Sequence, residues 1–239
     1  MTKGEAAPLD PVGMTAQFRA GMGALMHKRA MLAATLLLAS CIPASKPPAR
    51  RAPPRPAASS SDPVVRQCLA DLGRDKVRYT LLPDRVYGGG CSAVGAVQLD
   101  DIGTPVTKLG PMTCPLVRSF ARWTRDAVQP AASAWLNTRV VRIESFGTYG
   151  CRTRNSRPGA RLSEHGRANA VDIGAFVLAD GRRVAVLDGW NGADEDVRHF
   201  LRAVHQAGCR RFSVTLGPDA DAAHRNHLHF DMGAGPYCR

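Results

Sequence analysis

The segment 224-HRNHLHFDM-232 gathers three of the chain's seven histidines into six positions. Within it, Leu228-His229-Phe230-Asp231 alternates apolar with polar residues, the period of a strand that buries one face. Side chains two apart on a strand share a side, so His227 and His229 can face one cavity. A second segment, 163-SEHGRANAVD-172, supplies what such a cavity lacks. A strand predicted over 170–177 carries Asp172, and His165 stands earlier, at the edge of a loop.

Two imidazoles and a carboxylate make a mixed nitrogen and oxygen donor set. Zinc commonly takes three protein ligands of this kind and keeps a fourth position for water. The occupied set has a net charge of about +1, which helps acidify that water. Alone, His-x-His can be a solvated loop and Asp172 an ordinary hydrogen-bonding residue. Taken alone, each segment is weak evidence for a metal.

Outward from these segments the chain alternates strands and helices. Residues 113–137 read as a helix with Thr113 as N-cap and Pro115 in its first turn. Leu116, Phe120, Trp123 and Ala127 recur at helical spacing as a core stripe, and Pro130 is expected to kink or divide the helix. Residues 139–146 are strand-like, and 147–166 form an irregular loop rich in Gly, Arg and Ser. Two strands over 170–190 join around Asp180-Gly181 as a hairpin. Residues 193–208 form a second helix, acidic in its first turn, with Gly208 as C-cap. RRFSVTL (210–216) and LHFDM are further short strands, and 92–103 holds one or two more. The prediction is one α+β domain over 64–239, with a central antiparallel sheet flanked by helices.

The whole chain has a formal charge of +12. From Val64 onward 24 Lys plus Arg face 17 Asp plus Glu, about +7. Such a surface suits an anionic envelope polymer or is simply solvated. There is no dense basic stripe and no reading helix, so nucleic acid is not an expected partner. Cys68, Cys91, Cys114, Cys151, Cys209 and Cys238 are widely spaced and contain no Cys-x-x-Cys. They read as three disulfides of an oxidising compartment, with the pairing open.

Together, SEHGRANAVD and HRNHLHFD resemble the extensin-like C-terminal domain family. That family is similar to a wider group holding lysostaphin, the D-Ala-D-Ala metallopeptidases and the Sonic hedgehog fold. The group's first signature is Ser-x-His followed by Gly-x-Ala-x-Asp. Ser163, His165, Ala170 and Asp172 fall on it, while Ala168 stands where glycine is common. The resemblance implies a hedgehog-like α+β fold, with zinc (Zn2+) held by His165, Asp172 and His229 and with His227 beside it. His224 completes a His-x-x-His-x-His spacing similar to murein endopeptidases of the group, whose two earlier histidines assist catalysis. Asn226 occupies the position where the carboxypeptidase branch carries its glutamate, which argues against dipeptidase activity. Arg152, with Arg154 second, is implied as the contact to a scissile carbonyl or a substrate carboxylate. Asp221 and Asp231 are candidate partners for imidazole N–H groups or plain loop and strand-end residues. Tyr149 and Trp190 are candidates to line the cleft, with a structural role preferred for Trp190, and Glu164 is free to point to solvent.

Ahead of the domain, Lys28 and Arg29 precede a short apolar run, and Leu38-Ala39-Ser40-Cys41 resembles a bacterial lipobox. This implies an N-terminal extension and lipoprotein signal peptide over 1–41, ending at the lipobox cysteine, with cleavage before Cys41, lipid on its thiol, and a membrane link through it. Residues 42–63 are too rich in Pro, Arg, Ala and Ser to fold and read as a disordered tether. Ile42 after the lipidated cysteine implies sorting to the periplasmic face of the outer membrane. The expected function is zinc-dependent hydrolysis of envelope peptides, with peptidoglycan or its peptide fragments as partner. The alternative is a non-catalytic, zinc-stabilised module that binds peptidoglycan or serves as an envelope scaffold.

Overall fold

A computed structural model describes residues 61–239. The expected lipobox, and the tether up to Ser60, lie outside the described residues. Asp62 accepts a hydrogen bond from Val64 N at 2.7 Å and caps α1 (Pro63–Arg74), a helix for which the sequence reading named no element. Short strands follow: β1 (Arg78–Leu81), β2 (Arg85–Val86), β3 (Ser92–Ala93), β4 (Ala96–Asp101), β5 (Val106–Thr107) and β6 (Met112–Thr113).

The long predicted helix is interrupted. Helix α2 (Cys114–Trp123) passes through a π-helical turn (Thr124–Val128) into α3 (Gln129–Leu136). Pro130 explains the break: a helical proline removes a hydrogen bond and crowds the carbonyl four residues back, and the wider π turn gives it room. Thr113 holds the N-cap position without capping. Its hydroxyl instead bonds Asn169 Oδ1 at 2.7 Å, and its amide donates to the Ala168 carbonyl.

Next come β7 (Val140–Gly147), β8 (Ala170–Leu178), β9 (Arg183–Ala185), α4 (Val186–Gly189), α5 (Glu195–Cys209), β10 (Val214–Leu216), β11 (Leu228–Asp231) and β12 (Tyr237–Cys238). The main sheet runs β12-β10-β11-β8-β7-β5, with β9 also paired to β8. It is mixed, which corrects the expected antiparallel sheet. The pairs β5/β7 and β10/β12 are parallel, and the others are antiparallel. Both parallel partners are two-residue strands, too short for hydrophobic period to reveal their direction.

The core lies between the main sheet and α2, α3 and α5. Trp123 stands 4.8 Å from Phe230 and 6.2 Å from Phe176, and Phe176 meets Phe200 at 5.1 Å. A bulge keeps β8 on this core. Glu144 pairs with Ala175 and Ser145 with Ile173, so Gly174 is the extra residue. Val171 and Ile173 before it, and Phe176 and Leu178 after it, therefore all reach the same cluster. Gly208 is not the C-cap of α5, since the helix runs on to Cys209 and Arg210 caps it. A Cβ on Gly208 would lie 2.4 Å from the Phe230 ring, so glycine there lets the helix approach the sheet.

Three disulfides form: Cys68–Cys114, Cys91–Cys151 and Cys209–Cys238. They tie α1 to α2, the loop after β2 to the loop after β7, and the end of α5 to β12.

Candidate metal centre

Strands β8 and β11 are antiparallel neighbours, and His229 pairs directly with Asp172. Leu228 and Phe230 enter the core, so His229 and Asp231 take the opposite face. His165 comes from a short 3-10 turn, Glu164–Arg167, capped by the Ser163 side chain. That turn closes on Ala168 in the left-handed conformation, φ 55°. A glycine would adopt it without strain, which accounts for glycine at this place in the resembled signature.

His165, Asp172 and His229 are buried and converge. His165 Nε2 lies 3.2 Å from His229 Nδ1 and 3.1 Å from Asp172 Oδ2, and His229 Nδ1 lies 2.8 Å from Asp172 Oδ1. The outer nitrogens are committed. His165 Nδ1–H faces the Thr148 carbonyl at 3.2 Å, and His229 Nε2–H faces Asp231 Oδ2 at 2.9 Å. The inner nitrogens face each other and a carboxylate, a meeting that bound protons or a cation can satisfy. Ligands about 2.0–2.2 Å from a tetrahedral zinc stand roughly 3.3 Å apart, close to these separations. The residues fit the metal, and the cluster can coordinate one.

Charges agree with the geometry. Burial opposes ionisation of Asp172, but hydrogen bonds from His165 and His229 outweigh it and hold the carboxyl well below its usual range. Burial likewise opposes charge on His229, yet Asp172 and Asp231 raise its pKa to about 9. His227 has no such support, and burial lowers it to about 4.

The triad opens into a cleft of about 690 Å³. His227 Nε2 stands 3.5 Å from Asp172 Oδ1, while its Nδ1 meets Asn226 Oδ1 at 2.9 Å. His224 lies behind it, ring centroids 5.1 Å apart, with Nδ1 bonded to Asp221 Oδ1 at 2.7 Å. Arg152 reaches to 3.7 Å from Asp172 Oδ2, and Arg154 lines the same cleft. Asn155, unnamed in the sequence reading, donates from Nδ2 to Asp221 at 3.3 Å.

Tyr149 and Glu164 sit elsewhere than suggested, while Trp190 takes the structural place preferred for it. Tyr149 packs on Tyr87, 5.5 Å between rings, and on the small cluster of Ala93, Ala96 and Ala168. Trp190 is buried, donates to Asp219 and carries the Arg202 guanidinium on its face at 3.8 Å. Glu164 turns inward to accept from Arg167 and Asn169, bracing the His165 turn. Among the described residues His205, Cys209 and Cys238 also cluster, but a disulfide occupies both sulfurs.

Fold and site together define a class: an α+β domain with a buried His/Asp/His triad able to take a metal, consistent with the hedgehog and metallopeptidase-like superfamily. The chain belongs to the family described as extensin-like protein C-terminus, whose model matches residues 66–239. No curated protein and no solved structure matched it.

Proposed function

We propose that this chain is a zinc-dependent hydrolase of cell-envelope peptides, acting as an endopeptidase on peptidoglycan cross-links. One observation carries the reading: a three-ligand donor set lies at the floor of an open cleft, with His227 and Arg152 beside it. A purely structural zinc site is normally closed by four protein ligands. A zinc ion on His165, Asp172 and His229 supplies Lewis acidity for hydrolysis.

The chain's own residues do the rest. His227 donates Nδ1–H to Asn226, which turns the Nε2 lone pair toward the triad. Its lowered pKa keeps it neutral at pH 7, so it can take the proton of the attacking water and pass one to the leaving amine. His224, fixed by Asp221, and the half-exposed Arg152 offer hydrogen bonds to the carbonyl oxygen as charge develops there. The lipobox-like segment and the three disulfides support a lipid-anchored location at the periplasmic face of the outer membrane, with peptidoglycan in reach.

The test pairs elemental analysis with turnover of cross-linked muropeptides by wild type and His227→Ala. One zinc per chain, with cleavage lost in the variant, is the expected result. Bound zinc without turnover on any cross-link favours the zinc-stabilised binding module. A folded chain that refuses zinc removes the site.

A further inference from the structure

Two bulges meet beside the triad. Gly174 is the extra residue of β8, opposite the step from Glu144 to Ser145. One step on, Ser145 pairs with Ile173 and Gly147 with Asp172, so Phe146 is the extra residue of β7. Bulges re-aim side chains and concentrate near functional sites. Here the Phe146 ring is turned onto the bare backbone of Gly174. A Cβ at Gly174 would lie 2.4 Å from Cε1 and 2.6 Å from Cζ of that ring.

Gly174 is not among the residues of positive φ, so its backbone conformation is open to any residue. The space occupied by the ring is what requires glycine, an otherwise unfavourable residue inside a strand. Core packing does not account for the ring either. Phe146 is 50% exposed and joins neither apolar cluster of the domain. Its aromatic neighbour is His227, with centroids 5.8 Å apart and planes at 61°, an edge-to-face contact.

His227 needs such a neighbour. It precedes β11, and its Nδ1 partner is the adjacent residue Asn226, which fixes the tautomer but moves with the same loop. We propose that Phe146, seated on Gly174, is a positioning residue that holds the His227 imidazole with Nε2 toward Asp172. The proposal rests on the catalytic role given to His227 above.

The experiment uses the zinc-loaded chain with its disulfides formed, labelled at histidine, with Phe146→Ala and Phe146→Leu. Imidazole resonances are recorded, His227 being assigned with His227→Gln, and zinc content and muropeptide kinetics are measured on the same samples. In Phe146→Ala the His227 signals move while those of His165 and His229 stay, and zinc content is unchanged. The kcat falls roughly tenfold to a hundredfold, the scale of a small misplacement of a catalytic group, at constant KM. Phe146→Leu, which keeps apolar bulk on Gly174, recovers part of the loss and carries the same readouts if the alanine variant does not fold. His227 signals at their wild-type positions overturn the proposal. So does a kcat loss matched by zinc loss and by shifts of all three histidines, which marks a merely structural residue. If wild type cleaves no cross-link, the hydrolase reading fails by itself, and the resonances still decide whether Phe146 places His227.

Discussion

Asp231 shows how much a single carboxylate decides at this site. It accepts from His229 Nε2–H and from Gly233 N, and so fixes which nitrogen of His229 faces the triad. Asp231→Asn keeps the shape but loses the charge, and zinc affinity should drop about 10-fold to 100-fold. Competition with a chelator of known affinity measures it, and an unchanged affinity would show that the bond does not orient the ligand. His205 gives a pH-dependent counterpart away from the metal. Burial pushes its pKa below the ordinary 6.5, aided by Arg202 and opposed by the Arg239 carbonyl and Asp219. The native state therefore resists a proton that the unfolded chain accepts. This residue's effect is nil above about pH 6.5, and stability is lost as pH falls below it. Denaturant unfolding at pH 7.5 and 5.5 should show a smaller acid loss for His205→Gln than for wild type.

Among the elements, α5 and β11 are coupled through one absent methyl group. Gly208 faces the ring of Phe230, and Phe230 lies between the ligand His229 and its partner Asp231. Gly208→Ala gains helix propensity but forces the ring or the helix to move. Overpacking of this kind costs about 1–3 kcal/mol, and a lower urea midpoint at unchanged slope is the expected record. A stabilised variant would mean that the ring yields freely. The hairpin at Asp180-Gly181 and the Leu116, Phe120 and Trp123 stripe of α2 were legible because each is a local pattern of turn residues or period. The π turn was legible only as a break at Pro130, because its shape depends on what packs beside it.

At the scale of the molecule two of the three disulfides have different tasks. Cys68–Cys114 joins two helices in the core, whereas Cys91–Cys151 anchors the loop that carries Arg152 and leads to His165. Removing either bridge should cost about 2–4 kcal/mol of stability. The Cys91→Ser/Cys151→Ser pair should also weaken zinc binding, and Cys68→Ser/Cys114→Ser should not. Thermal melting and chelator competition on both variants check this, and equal effects on zinc would remove the special role of Cys91–Cys151.

The sequence by itself determined the α+β class, the core stripe of α2, the six domain cysteines as disulfide formers and the residues that form the donor set. Each is written in periodicity, residue chemistry or a short signature. Tertiary structure alone decided the rest. Which cysteines pair, the parallel direction of β5 and β12, the inward turn of Glu164 and the seating of Phe146 on Gly174 all depend on residues far apart in the chain. A local pattern records which face of its own element is buried. It carries no record of the neighbour that will cover that face.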